Sequence, residues 1–302
     1  MPSSSRGILL IVSAISLFVI MGSLIKAADR IPAGEAVFFR AFCALPVIVA
    51  WLVARGDLGA GLRVADWRSH ALRGIAGSTA MGLGFVGLKL LPLPEVTAIR
   101  FATPILTVIF AALILAERVR LIRFSAVLVG LGGVMIVMWP RLQFQGGDLA
   151  LIGALVTLGS AGLAALSQVF IKAMAGTERT TAIVFWFSMT ASSLSLLTIP
   201  FGWVMPVGGE WVLLIGAGLL GGLGQILLTA SYRFADASVL APFTYVSMIW
   251  ALLIGYFIFD EVPTVPMLGG AALVIAAGVA IVLRERQLGL RRLAERKVQG
   301  QG

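Results

Sequence analysis

The chain alternates between long apolar runs and short polar or breaker-rich stretches. In order, the runs span Gly7–Ala27, Pro32–Ala54, Ala71–Leu91, Pro94–Ala116, Leu121–Trp139, Leu149–Met174, Thr181–Val204, Trp211–Phe234, Ser238–Phe259 and Val265–Leu283. Each is about twenty residues long, which at roughly 1.5 Å per residue crosses a hydrocarbon layer of about 30 Å. The pattern predicts an all-α integral membrane protein with ten transmembrane helices. The connections carry the breakers: Pro92 and Pro94, Gly146–Gly147, and Pro206 with Gly208–Gly209. Links this short make successive helices antiparallel.

The apolar pattern also repeats. A shift of 144 positions aligns Gly77 with Gly221, Lys89 with Arg233, Ile105 with Ile249, Ile114 with Ile258 and Glu117 with Glu261. Ile25–Lys26 answers Ile171–Lys172 at a slightly different offset. Five helices per copy is an odd number, so the second copy enters the membrane inverted, the arrangement of many secondary transporters. The expected units are residues 1–141 (first five-helix repeat), 142–284 (second, inverted repeat) and 285–302 (a basic cytoplasmic tail).

Charge supplies the orientation. Of 23 Lys and Arg residues, seventeen fall on one side, among them Arg6, Arg73, Arg118, Lys172 and the 284–297 group, and four on the other: Lys26, Arg30, Lys89 and Arg141. Basic residues stay cytoplasmic, so both termini are expected inside. The net charge of +9 therefore reads as membrane asymmetry and not as a nucleic-acid surface. Arg6 before Gly7–Ala27 has the look of a signal peptide, but the run is too long and Lys26 spoils the cleavage position, so a retained first helix is expected.

Composition agrees: 59% hydrophobic, 12% charged, with a mean hydropathy of +1.02. Cys43 is the single cysteine, assigned to packing, and His70 the single histidine, at a cytoplasmic loop edge. No histidine-based metal site or triad can be built within the membrane, and no acids pair on a midmembrane helix face, so neither an enzyme, a metal nor a cofactor is expected.

Two basic residues lie within helices, Arg40 and Arg100. A basic group at mid-helix costs about 2.5–3.5 kcal/mol on insertion scales unless it finds a partner or water. Arg100 is open to two readings, an anchor for a substrate carboxylate or a tie between helix ends; for Arg40 the structural reading is preferred. Thr97, Ser78, Gln168 and Gln225 supply polar groups, and Phe101, Trp186 and Tyr245 an apolar surface, although each can also serve packing alone. Glu95, near the mouth of the fourth helix, and Glu117 and Glu261, at equivalent helix ends, join Arg40 as structural or gating residues. The Gly-rich third and eighth helices fit either tight packing or a flexible cavity wall.

Four segments then resemble the EamA-type branch of the drug/metabolite transporter superfamily: Met21-Gly22-Ser23-Leu24-Ile25-Lys26, Phe39-Arg40-Ala41-Phe42, Ala116-Glu117-Arg118, and Gly130 with Gly132-Gly133-Val134. The second copy echoes them in Asp260-Glu261 and Gly278-Val279, and has Phe187 or its neighbours where Arg40 would fall. The resemblance implies ten helices in two inverted repeats and is strongest toward bacterial inner-membrane amino-acid exporters. It implies alternating-access export of small metabolites, neutral or aromatic amino acids foremost. Without an evident ion-coupling residue, facilitated uniport is expected over proton antiport, from a monomer among lipids. Other metabolites or drugs, a non-transporting membrane protein and an intramembrane enzyme are the alternatives.

Overall fold

The computed structural model describes residues 3–54, 56, 58–114, 128–130, 132–137, 139, 148–174, 177–231, 234, 241–276 and 279–280, and among them there is no strand. The helices are α1 Ser3–Ala27, α2 Ala33–Phe42, α3 Ala44–Ala54, the single turn α4 Leu58–Gly61, α5 Trp67–Leu90, α6 Leu93–Arg100 and α7 Ala102–Ile114. They continue with α8 Leu128–Val137, α9 Asp148–Met174, α10 Thr180–Leu196, α11 Glu210–Ser231 and α12 Val246–Phe259, and α13 Val265–Ala276. Among the described residues, five spans are long and apolar enough to cross a membrane: Ser5–Ala27, Ala33–Ala54, Trp67–Leu90, Leu149–Ile171 and Glu210–Leu228. Glu117 and the 285–302 tail lie outside the described residues.

Two helices expected to be continuous are broken, and proline is the reason in both. Pro46 lacks the N–H that would reach the Phe42 carbonyl, and the helix ends at Cys43, whose own N–H closes on Phe39 O at 2.9 Å. Pro104 stands in the same relation to Arg100, and the break falls at Phe101, whose N–H bonds Ala98 O at 3.2 Å. The two mid-helix arginines thus sit beside the two breaks. Under the 144-position shift Phe101 corresponds to Tyr245, which ends the 3₁₀ turn Ala241–Tyr245 before α12.

The most extensive helix pairs are α5 with α9 and α1 with α11. Under the 144-position shift α1 falls on α9 and α5 on α11, so the shift relates one pair to the other. Small residues permit the close approach that replaces hydrophobic drive within lipid. At Gly87 of α5 a Cβ would collide with the Thr157 side chain of α9, and at Gly218 of α11 it would stand 2.8 Å from the Phe39 carbonyl of α2.

Arg73 departs from the sequence reading. It was counted among the basic residues of the cytoplasmic side, but α5 begins at Trp67, so Arg73 lies almost two turns into the helix and is only 6% exposed. The N-cap residue Asp66 explains the early start: its carboxylate accepts the Arg68 N–H in the first turn at 3.0 Å.

Candidate functional site

The broken helices α2 and α6 meet α1, α5, α9, α10, α11 and α12 around a cavity of about 400 Å³. Its wall is mostly apolar, with Phe18, Phe85, Phe101 and Phe187 as its large rings. Three arginines, Arg40, Arg73 and Arg100, line it, and no acidic residue does among the described residues. Arg40 and Arg73 are each 6% exposed. Their guanidinium groups share one ring: Arg73 Cζ is 3.7 Å and Arg40 Cζ 5.8 Å from the Phe187 centroid. Arg40 Nε and both Nε and Nη1 of Arg73 have no hydrogen-bond partner. Buried cations without an acid favour whatever anion enters.

The residues singled out from sequence separate here. Thr97, Arg100, Phe101, Gln168 and Gln225 line the cavity, as does Arg40. Tyr245 stands behind the lining, its ring edge-on to Phe101 at 5.0 Å. Ser78 is buried on α5 with an unpartnered hydroxyl, away from the lining. Trp186 is elsewhere: its indole N–H donates to Leu62 O at 3.0 Å and its ring packs edge-on against Trp67 at 4.6 Å. That placement serves the loop end of α10, because an indole N–H takes the nearest free carbonyl. Arg73, Phe187, Phe85 and Ser167 line the cavity without having been expected as site residues. Arg73 shares the i, i+4, i+7 stripe with Gly77 and Ala80, and that stripe was the available signal.

One end of the cavity lies beneath a charged layer. Lys26 at the end of α1 pairs with Glu261 at 2.9 Å and donates to Leu88 O at 3.0 Å and Leu91 O at 2.8 Å. Glu261 also accepts the Leu93 N–H at 2.7 Å, at the start of α6, where a carboxylate suits the helix dipole. Asp260, at φ 53°, ends α12 in the left-handed region and turns Glu261 back toward α6. Lys89 adds bonds to Ala28 O and Asp29 O at 3.0 and 2.7 Å. Glu35 accepts the Val204 N–H at 3.0 Å, and Glu95 is buried near the start of α6.

At the opposite end Glu178 ties the α9–α10 loop to the start of α5, accepting the Ala65 and Asp66 N–H groups at 2.7 and 2.8 Å. Its Oε2 is 3.4 Å from His70 Nε2. Burial raises the Glu178 carboxyl, but these backbone donors and His70 outweigh it and hold it below the usual carboxylate range. Among the described residues no group of three or more His, Cys, Asp or Glu side chains is placed to hold a metal ion.

Comparison of the sequence with known proteins finds transporters. The chain is 30% identical over 281 residues to the pseudopaline exporter CntI of Pseudomonas aeruginosa, covering 91% of this chain and 95% of that protein. It is 27% identical to an S-adenosylmethionine uptake transporter of Rickettsia prowazekii, with 85% of each chain covered. A riboflavin transporter of Rhizobium johnstonii is 29% identical over 72% of this chain and 71% of its own length. A solved crystal structure shares the fold at a TM-score of 0.67, 23% identical and covering 94% of this chain and 99% of its own. The EamA-like transporter family model matches residues 5–139 and again 151–284. With its apolar helices and a family of transporters and not enzymes, this multi-pass membrane protein belongs to the EamA-like transporter family.

Proposed function

We propose that the chain is a carrier that moves small metabolites bearing an anionic group across a bacterial cytoplasmic membrane by alternating access, with amino acids, aromatic ones among them, as the leading substrates. The observation that carries this reading is the arginine-lined cavity, which has no acidic lining among the described residues. A substrate carboxylate would meet Arg100, while an apolar or aromatic body would lie against Phe101 and Phe85 and an ammonium group against the amide oxygens of Gln168 or Gln225. Thr97 adds one more hydroxyl. The proposed architecture is ten helices in two inverted repeats with both termini cytoplasmic; the exchange of the α1–α11 and α5–α9 pairs and the asymmetry of basic residues support it.

In this reading the layer of Lys26 and Glu261 closes the extracytoplasmic end, and the first transport step opens the cavity to the other side. Relatives named for export and for uptake share the scaffold, which supports a direction set by gradients. The cavity has no acidic lining among the described residues to carry a proton, which supports facilitated uniport. Purified protein in liposomes preloaded with unlabelled amino acid should accumulate labelled amino acid by counterflow. An amino-acid panel without uptake would overturn the substrate reading, and uptake of sugars or nucleotide precursors instead would reassign it.

A further inference from the structure

We infer that the cavity holds two separate anion subsites, two helical turns apart, and so selects elongated substrates with an anionic group at each end. The inference rests on the anion-carrier reading above and goes beyond it by naming the substrate class. An ideal Cβ on Gly77 would lie 2.6 Å from Arg73 Nη1 and 2.9 Å from both Phe187 Cε2 and Ser167 Oγ. One on Gly84 would lie 3.9 Å from Arg100 Cζ and 3.0 Å from Ser160 Oγ. Gly77 and Gly84 mark two levels of α5 seven residues apart, and Ser167 and Ser160 mark the same levels on α9 with the same spacing. Seven residues at 1.5 Å per residue put the levels about 10 Å apart on nearly one helix face.

The lower level is Arg40 with Arg73, and the upper level is Arg100. The lower pair is the unusual feature. Two guanidinium groups against one ring repel each other, and their unpartnered nitrogens at 6% exposure have lost water without gaining an acid. A single substrate carboxylate at Arg100 leaves that deficit in place. A second carboxylate or a phosphate about 10 Å away removes it, taking charge-assisted bonds from the free nitrogens.

The test uses the purified full-length protein and titrates, at constant ionic strength, a series of α,ω-dicarboxylates of increasing length against monocarboxylates of equal length. Wild type should bind the best dicarboxylate at least tenfold more tightly than its monocarboxylate, with an optimum at an extended length and not at the shortest member. Arg73→Gln and Arg40→Gln should each erase that preference, bringing the affinity for the best dicarboxylate to within about twofold of that for its monocarboxylate; Arg73→Lys should restore part of the preference. Arg100→Gln should weaken both series. Equal binding of the two series, or a preference that peaks at the shortest dicarboxylate, overturns the two-subsite inference and leaves the anion-carrier reading standing. Absence of binding in both series overturns that reading as well. Replacing a buried unpaired arginine removes a desolvated charge, so the Gln variants should fold; a melting temperature at or above that of wild type checks this.

Discussion

Replacing Glu261 by Gln tests the layer that closes one end of the cavity. The amide keeps the shape and can still accept the Leu93 N–H, so what is lost is the charge opposite Lys26. The two side chains are 14% and 12% exposed, well inside the range where solvent screening is weak. Breaking a buried pair by removing one partner costs about 3–5 kcal/mol. Lys26 keeps two carbonyl acceptors, so the lower figure for a charge-assisted hydrogen bond, about 1.5–3 kcal/mol, is the better expectation. Lys26→Met leaves Glu261 as the unpaired charge and should cost a similar amount. The double variant has no stranded charge, so its loss should fall short of the sum of the single losses by about 1.5–3 kcal/mol. Denaturant unfolding of the four proteins in detergent micelles measures this cycle. Additivity within about 0.5 kcal/mol would refute the coupling and with it the closing role of the pair.

Other outcomes follow from the same geometry. Arg100→Gln should abolish most counterflow while preserving expression and the melting temperature; full transport would remove Arg100 from the site. Gly87→Ala should cost about 1–3 kcal/mol by overpacking against Thr157, and adding Thr157→Ala should recover part of it, since the hydroxyl is the nearest obstacle. Gly132→Ala, where a Cβ meets nothing within 4 Å, should be neutral in the same melting assay. The folded state holds the Glu178 carboxyl below its unfolded value, so its stabilisation is complete above the usual carboxylate range and fades as pH falls through and below it. Glu178→Gln should be less stable than wild type at neutral pH, and the gap should close on acidification; a gap independent of pH would refute the assignment.

Membrane residence and most segment positions were legible in the chain because hydropathy is a local property: each residue's preference for oil or water adds along the run regardless of where neighbouring helices lie. Pro46 and Pro104 also mark the two breaks locally, since a missing N–H acts on its own helix. The cost of placing Arg40 and Arg100 within apolar runs was visible for the same reason. Which way a side chain points within the bundle is a different quantity. Trp186 and Phe187 are adjacent in the same apolar run, yet the first bonds a loop carbonyl and the second carries two arginines over its ring. Arg73 counts as a loop-side charge in any tally of basic residues, and only the start of α5 at Trp67 makes it part of the cavity wall.

What the sequence alone determined is therefore a chain of apolar helices and the presence of costly charges within it, both set by local free energies. The tertiary structure decided that three arginines from three helices face one space without an acid among the described residues, and that Lys26 and Glu261 join beyond one end of it. Those are convergences of separate helices, governed by packing of small residues across interfaces, and no single run of sequence contains them.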